Sequence, residues 1–167
     1  MLDFINEFDI LSNSQYGFRK NISTSLALID LMDRTSISIE QNEHTLGIFL
    51  DLAEAFDTVS HDILLEKLTF YGIRGTAHNW LKNYLTNRHQ FVFIDGSNST
   101  RLPVTCGVPQ GSILGPLLFI IYINDLTLVS ELLTFIMFAD DTNIFISGHK
   151  LANLILTLNS ELEVMND

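Results

Sequence analysis

The sequence predicts an α+β domain, and three observations carry that reading. Two apolar runs, Leu132–Phe138 and Asn143–Ile146, flank Ala139-Asp140-Asp141-Thr142 and read as two strands joined by a tight turn. A third run, Leu46–Leu52, is continuous enough for a buried strand. Around these runs, Leu and Ile recur at the spacing of amphipathic helices. A hydrophobic content of 47% and a mean hydropathy of +0.25 supply a core and exclude a disordered chain. At 167 residues, one domain is expected, or one lobe of something larger.

The elements follow in order. Residues 1–13 are weakly periodic and read as a helix or a frayed start. Ser14-Gln15-Tyr16-Gly17-Phe18-Arg19-Lys20 sets an aromatic-Gly-aromatic turn beside the one pair of adjacent basic residues. Such a pair is ordinarily solvated, although a turn of this kind can also offer it to phosphate. Ser23 or Thr24 caps a helix reaching about Gln41, with Leu28, Leu31, Met32 and Ile39 as its core-packing face. Asp51 stands near the end of the Leu46–Leu52 run, and an acid there is a better metal-ligand candidate than one on a helix surface. Ala53–Val59 leaves the strand as a turn or short helix.

Ser60 caps the next helix, which carries Leu64, Leu65 and Leu68 on one side. Ser60, His61 and Asp62 have the residue types of a hydrolase triad, but consecutive side chains at a helix start point apart, which excludes one. Tyr71–Gly75 is a connector, and Ala77–Asn87 is a helix with Trp80, Leu81, Tyr84 and Leu85 as its buried face. His78 and His89 lack partners at metal-binding spacing and read as ordinary histidines. Gln90–Gly96 and Thr100–Cys106 read as two strands joined by Gly96-Ser97-Asn98-Ser99. Gly107–Ser112 is a polar loop whose two glycines permit close approach of a backbone or ligand. Ser112 then caps a long apolar helix, Ile113–Leu126, and a helix start beside glycines suits phosphate or base contacts. Leu151–Met165 forms a final amphipathic helix.

Nine basic against twenty acidic residues give a net charge of −11, which disfavours polyanionic partners unless local features compensate. A single cysteine, Cys106, excludes an intramolecular disulfide framework and a cysteine-based zinc site. It fits a reducing, intracellular compartment and leaves cytoplasm and nucleus equally open. No basic region followed by an apolar run marks a signal peptide at the N-terminus. The greasiest segment, Ile113–Leu128, is interrupted by Gly115, Pro116, Asn124 and Asp125, so no membrane span is expected.

The chemistry gathers on carboxylates. Asp140 and Asp141 sit between apolar strands, where unpaired charge is costly. A solvated Asp-Asp turn is the plain reading, and a metal ion is the functional one. Asp51 and the Gly/Gln loop favour the second. Two-metal phosphoryl transfer needs carboxylates able to bridge divalent ions about 4 Å apart, and three such groups without metal repel one another. Mg2+ suits carboxylate oxygens combined with substrate phosphates and water.

Several segments together resemble the reverse transcriptase domain of non-LTR (LINE-type) retrotransposons. They are Gln15–Lys20 with Ser23-Thr24, Phe49–His61, Gly107–Phe119, Tyr122–Leu126 and Phe138–Thr142. They occur in the family's order and span the chain from Ser14 to about Ser147. The resemblance implies a right-hand polymerase palm, an antiparallel sheet backed by helices. Partial fingers would occupy about residues 14–45, and mostly palm with fingers-side helices about residues 46–167.

It further implies that Asp51, Asp140 and Asp141 are the catalytic, metal-binding carboxylates, with the Leu52 backbone carbonyl beside the ions. Two Mg2+ ions would serve, with Mn2+ as a substitute. Phe56 would occupy the place of the steric gate against a ribose 2′-hydroxyl, although a plain core Phe is the simpler reading outside this motif. Gln110 and Gly111 would line the nucleotide pocket, and Arg19 would lie near the triphosphate. The implied partners are an RNA template, a DNA primer and a dNTP.

Two departures stand out. Glu54 replaces the Lys common in the family after Asp-Leu-Ser, and nothing here matches the later palm lysine, the thumb or an endonuclease. A truncated domain is therefore expected, with the basic grip on nucleic acid lying elsewhere. The competing reading is an inactive retroelement-derived fragment that acts, if at all, as a binding module. A metal-dependent nuclease or cyclase fits the Gln110 loop and the Phe56 position less well.

Overall fold

The structure, a computed structural model, describes residues 1–166 and the side chains of residues 1–165; Asp167, the last residue of the expected domain, lies outside them. Its elements run α1 (Leu2–Glu7), α2 (Thr24–Glu40), β1 (His44–Leu50), α3 (His61–Phe70), α4 (Gly75–Leu85), β2 (His89–Gln90), β3 (Phe93–Ile94) and β4 (Ser97–Asn98). There follow β5 (Leu102–Pro103), α5 (Gly115–Tyr122), a 3-10 turn (Asn124–Leu128), β6 (Thr134–Phe138), β7 (Asp141–Gly148) and α6 (Leu151–Asn166). The mixed helix and antiparallel sheet composition is the one expected. The chain divides into two compact units, one made of Met1–Ala53 with the segment from Ile123 onward, the other of Glu54–Tyr122.

In the first unit, an antiparallel sheet has the order β1-β7-β6. Strand alternation sends Ile144, Ile146, Phe135 and Leu133 to one face, where they pack on Leu154 and Leu158 of α6 with Leu46, Ile48 and Leu50 of β1. Ile136 and Phe145 face the other way, against Ala27 and Leu31 of α2 and against Tyr16. Helices therefore cover both faces. Beyond β6, Ser14–Tyr16 adds a short parallel rung: Gln15 bridges Met137, the Tyr16 N–H donates to the Met137 carbonyl, and the Met137 N–H donates to that of Ser14, both at 2.8 Å.

Two expectations are corrected in this unit. The Leu46–Leu52 run forms an edge strand, because β7 takes the centre by pairing with both β1 and β6, and Phe49 is 71% exposed. On α2, Leu28, Met32 and Ile39 point outward, while Ala27 and Ser38 are the buried residues. The smaller stripe lets the helix approach the sheet closely. There the Ser38 hydroxyl bonds the Ser147 hydroxyl at 3.0 Å and donates to the Arg34 carbonyl.

In the second unit, Ser60 caps α3 as expected, accepting from the Ile63 N–H, and Leu64, Leu65 and Leu68 are buried. On α4, Leu81 and Leu85 are buried, but Trp80 is exposed and stacks on Tyr84 instead of entering the core. The expected long strand pair is broken into two short ladders, β2 with β5 and β3 with β4. The turn is the two-residue Asp95-Gly96, both with positive φ (47° and 81°), the type I′ sign pattern that Asp-Gly favours. The long helix expected over Ile113–Leu126 is shorter. It starts at Gly115, not beside Ser112, although the Ser112 hydroxyl still accepts from the Gly115 N–H at 2.9 Å, and it ends at Tyr122, where the chain tightens into the 3-10 turn. There the Asn124 amide accepts from the Ser12 N–H and donates to the Ile10 carbonyl. No helix among the described residues is long and apolar enough to cross a membrane.

Candidate active site

The register of the first unit decides where the carboxylates go. The last β1–β7 pair is Leu50 opposite Thr142, and the last β6–β7 pair is Phe138 opposite Asp141. One step past Leu50 on one strand is Asp51; one step before Thr142 on the other is Asp141. Asp140 sits between them in chain order, in the two-residue turn Ala139-Asp140 that joins β6 to β7. All three candidate acids thus lie at the same end of the sheet, with the Leu52 carbonyl one residue beyond Asp51. Asp51 and Asp141 are exposed and Asp140 is half-buried.

The turn is held in an uncommon conformation. Ala139 has φ of +57° and Asp140 does not share the sign, the type II′ pattern in which glycine usually takes the first position. One side chain engages both backbone polar groups of Ala139. The Gln15 Oε1 accepts from the Ala139 N–H at 2.9 Å, and its Nε2 donates to the Ala139 carbonyl at 3.2 Å. Gly17 lies against the same residue so closely that a β-carbon on it would overlap the Ala139 backbone nitrogen. Sequence reasoning passed over Gln15, because its segment draws attention through its cations; Gly17 between two aromatics was the only local signal.

Arg19 is half-buried and donates from its Nη1 to the carbonyls of Ser12 (2.9 Å) and Gln15 (3.3 Å). These bonds fasten the loop that carries Gln15.

In the second unit, Phe56–His61 and Gly107–Gly111 are laced together. The Val108 N–H donates to the Phe56 carbonyl (2.7 Å) and the Gly107 N–H to the Val59 carbonyl (2.8 Å). His61 is buried, and its Nε2–H donates to the Gly107 carbonyl at 2.7 Å, so this histidine is a fastener. The Gln110 Nε2 donates to the Asp57 carboxylate at 3.2 Å. Phe56 is half-buried, its ring stacked on Phe119 with centroids 4.5 Å apart. Gly111 has φ of +76° and open space where a β-carbon would be. The structure thus gathers Phe56, Gln110 and Gly111 on one pair of loops.

The donor set at the sheet end is chemically right for a hard divalent cation, being carboxylate and carbonyl oxygen. Among the described residues, however, no three His, Cys, Asp or Glu side chains converge to hold an ion. The backbone brings the three acids to one place; their side chains do not form a closed ligand cage.

A family model described as reverse transcriptase (RNA-dependent DNA polymerase) matches residues 1–165. The chain belongs to the reverse transcriptase family. This bears out the resemblance read from the motif order, and the relatives carry it to transposable elements. The chain is 35% identical over 130 residues to the probable RNA-directed DNA polymerase from transposon BS of Drosophila melanogaster, covering 74% of this chain and 14% of that protein. It is 34% identical over 135 residues to the RNA-directed DNA polymerase from mobile element jockey of the same species, covering 77% of this chain and 15% of the relative. This member of the family therefore spans about a seventh of the length of the curated relatives it matches. Among solved structures, the partial Cas6-RT-Cas1–Cas2 complex aligns with 90% of this chain and 26% of that chain, at a TM-score of 0.38 and 23% identity. A likeness that weak adds nothing to the assignment.

Proposed function

We propose that this chain is the palm and partial fingers of an RNA-directed DNA polymerase that extends a DNA primer on an RNA template. Its domain boundaries follow the sequence reading, with partial fingers over about residues 14–45 and mostly palm with fingers-side helices over about residues 46–167. The observation that carries the proposal is the register that delivers Asp51, Asp140 and Asp141 to one end of the β1-β7-β6 sheet. Asp141 is itself paired in β7, and Asp51 and Asp140 each lie one residue from a paired position, so all three are held close to the rigid part of the fold.

The reaction joins a primer 3′-hydroxyl to the α-phosphate of a dNTP and expels pyrophosphate. Charge builds on the attacking and leaving oxygens and needs stabilising at fixed positions. Asp51, Asp140, Asp141 and the Leu52 carbonyl would hold two Mg2+ ions, or Mn2+, which supply Lewis acidity to both oxygens when bound. Gln110, held by its bond to Asp57, and Gly111, with open space where a β-carbon would be, are read from the motif as nucleotide-contacting residues, and the Phe56 ring, braced on Phe119, as the one that meets a sugar. Arg19 acts from the fingers by securing the segment beside the acids and by lending positive charge near the triphosphate.

Primer extension on poly(rA)·oligo(dT) with Mg2+ and dTTP tests the reading, comparing the chain with Asp140→Asn. Extension that vanishes in the variant supports it. A folded chain that never extends the primer removes it. That result would favour the second reading, a reverse-transcriptase fold that binds without polymerising.

A further inference from the structure

We propose that Gln15 is a positioning residue for the carboxylate turn, holding Ala139 in its left-handed conformation so that Asp140 and Asp141 are presented in one fixed arrangement. The inference rests on reading those two acids as catalytic, but its geometry stands apart from that. The Gln15 side chain is 1% exposed and makes three hydrogen bonds. Its Oε1 accepts from the Gly17 N–H (2.7 Å) and the Ala139 N–H (2.9 Å), and its Nε2 donates to the Ala139 carbonyl (3.2 Å). The residue with the unfavourable φ is therefore gripped at both of its backbone polar groups by a single planar amide.

Three features make this a clamp and not a chance contact. Alanine has no conformational reason to sit at φ +57°, so something must hold it there. Gln15 is itself anchored, since the backbone on either side of it bonds Met137, the last residue but one of β6. The Arg19 guanidinium also donates to its carbonyl. Gly17 completes the fit, because any side chain there would strike the Ala139 nitrogen. An amide is the side chain that the site requires: one acceptor for two N–H groups and one donor for a carbonyl.

The test has two readouts. Hydrogen exchange should show the Ala139 and Gly17 amides protected in the native chain. Exchange at the rate of free amides would overturn the clamp without any variant. In Gln15→Met, Ala139 protection should fall while that of Ile144, in the middle of β7, persists. In primer extension, Gln15→Met should lower kcat by between about ten- and a hundredfold, with KM for dTTP changed less than about twofold. Adding Ala139→Gly, which makes the turn conformation intrinsically accessible, should recover much of that loss. A folded Gln15→Met that keeps its Ala139 protection, or loses kcat with no rescue by Ala139→Gly, sinks the proposal. Should the native chain fail to extend primers at all, the polymerase reading falls, and amide exchange alone still decides the clamp.

Discussion

A β-carbon on Gly107 would stand 2.8 Å from the Asp57 carbonyl oxygen and 3.0 Å from the Asp57 α-carbon. The two loops that carry Phe56 and Gln110 are packed backbone against backbone at that point, and the Gly107 φ of +87° adds a second reason for glycine. Gly107→Ala is expected to destabilise the chain by about 2–4 kcal/mol, combining the left-handed penalty with overpacking. Denaturant unfolding measures it; a loss below about 0.5 kcal/mol would mean the loops part freely.

If the acids at the sheet end bind Mg2+, the ion should stabilise the native chain. At ten times the dissociation constant, the gain is about 1.4 kcal/mol. Thermal unfolding with Mg2+ and with EDTA should therefore differ for the native chain and converge for Asp51→Asn, Asp140→Asn and Asp141→Asn. Variants that keep the full Mg2+ shift would place the ion elsewhere.

Phe56 separates two roles that a single substitution can distinguish. As a packing residue stacked on Phe119, its change to Val should cost about 1–2 kcal/mol of stability. As a sugar gate, the same change should raise ribonucleotide incorporation relative to deoxyribonucleotide by about tenfold or more. Single-nucleotide extension with dTTP and UTP reads the ratio. A stability loss with an unchanged ratio makes Phe56 a core residue only.

Tyr16 gives the fold an alkaline limit. Burial raises its phenol pKa above the usual 10.0, and the hydrogen bond it donates to Asp30 (3.0 Å), with the charge of that carboxylate, raises it further. In the unfolded chain the phenol loses its proton first, so the folded state holds more protons above about pH 10, and stability must fall there as pH rises. Below that pH the contribution is fully present. Tyr16→Phe should flatten the alkaline decline in a urea-midpoint series from pH 8 to 11. An equally steep decline in the variant would assign it to other groups.

Much of this was legible in the sequence because it is local. The turn before Asp141 announces itself through continuous apolar runs on both sides, and the Ser60 cap through a hydroxyl just before an apolar helix. The edge position of β1 is not local. It depends on which strand finds two partners, and β7 does. On α2 two stripes compete, Leu28 with Met32 and Ile39 against Ala27 with Leu31 and Ser38. The second packs because small side chains approach the sheet and Ser38 finds Ser147 there, which no local pattern encodes. Gln15 is the same case at the site, since its meaning lies in a residue far along the chain, Ala139.

The first unit is assembled from two stretches of chain separated by all of Glu54–Tyr122. β1 leaves the ribosome early but has no strand partner until β7 has been made, because the central strand of its sheet comes late. Closing so long a loop before any pairing energy is gained slows folding. Glu54–Tyr122, by contrast, is contiguous and can form its helices as it emerges. β1 therefore waits on a strand made much later, and a nascent chain halted before β7 would lack the central strand of this sheet.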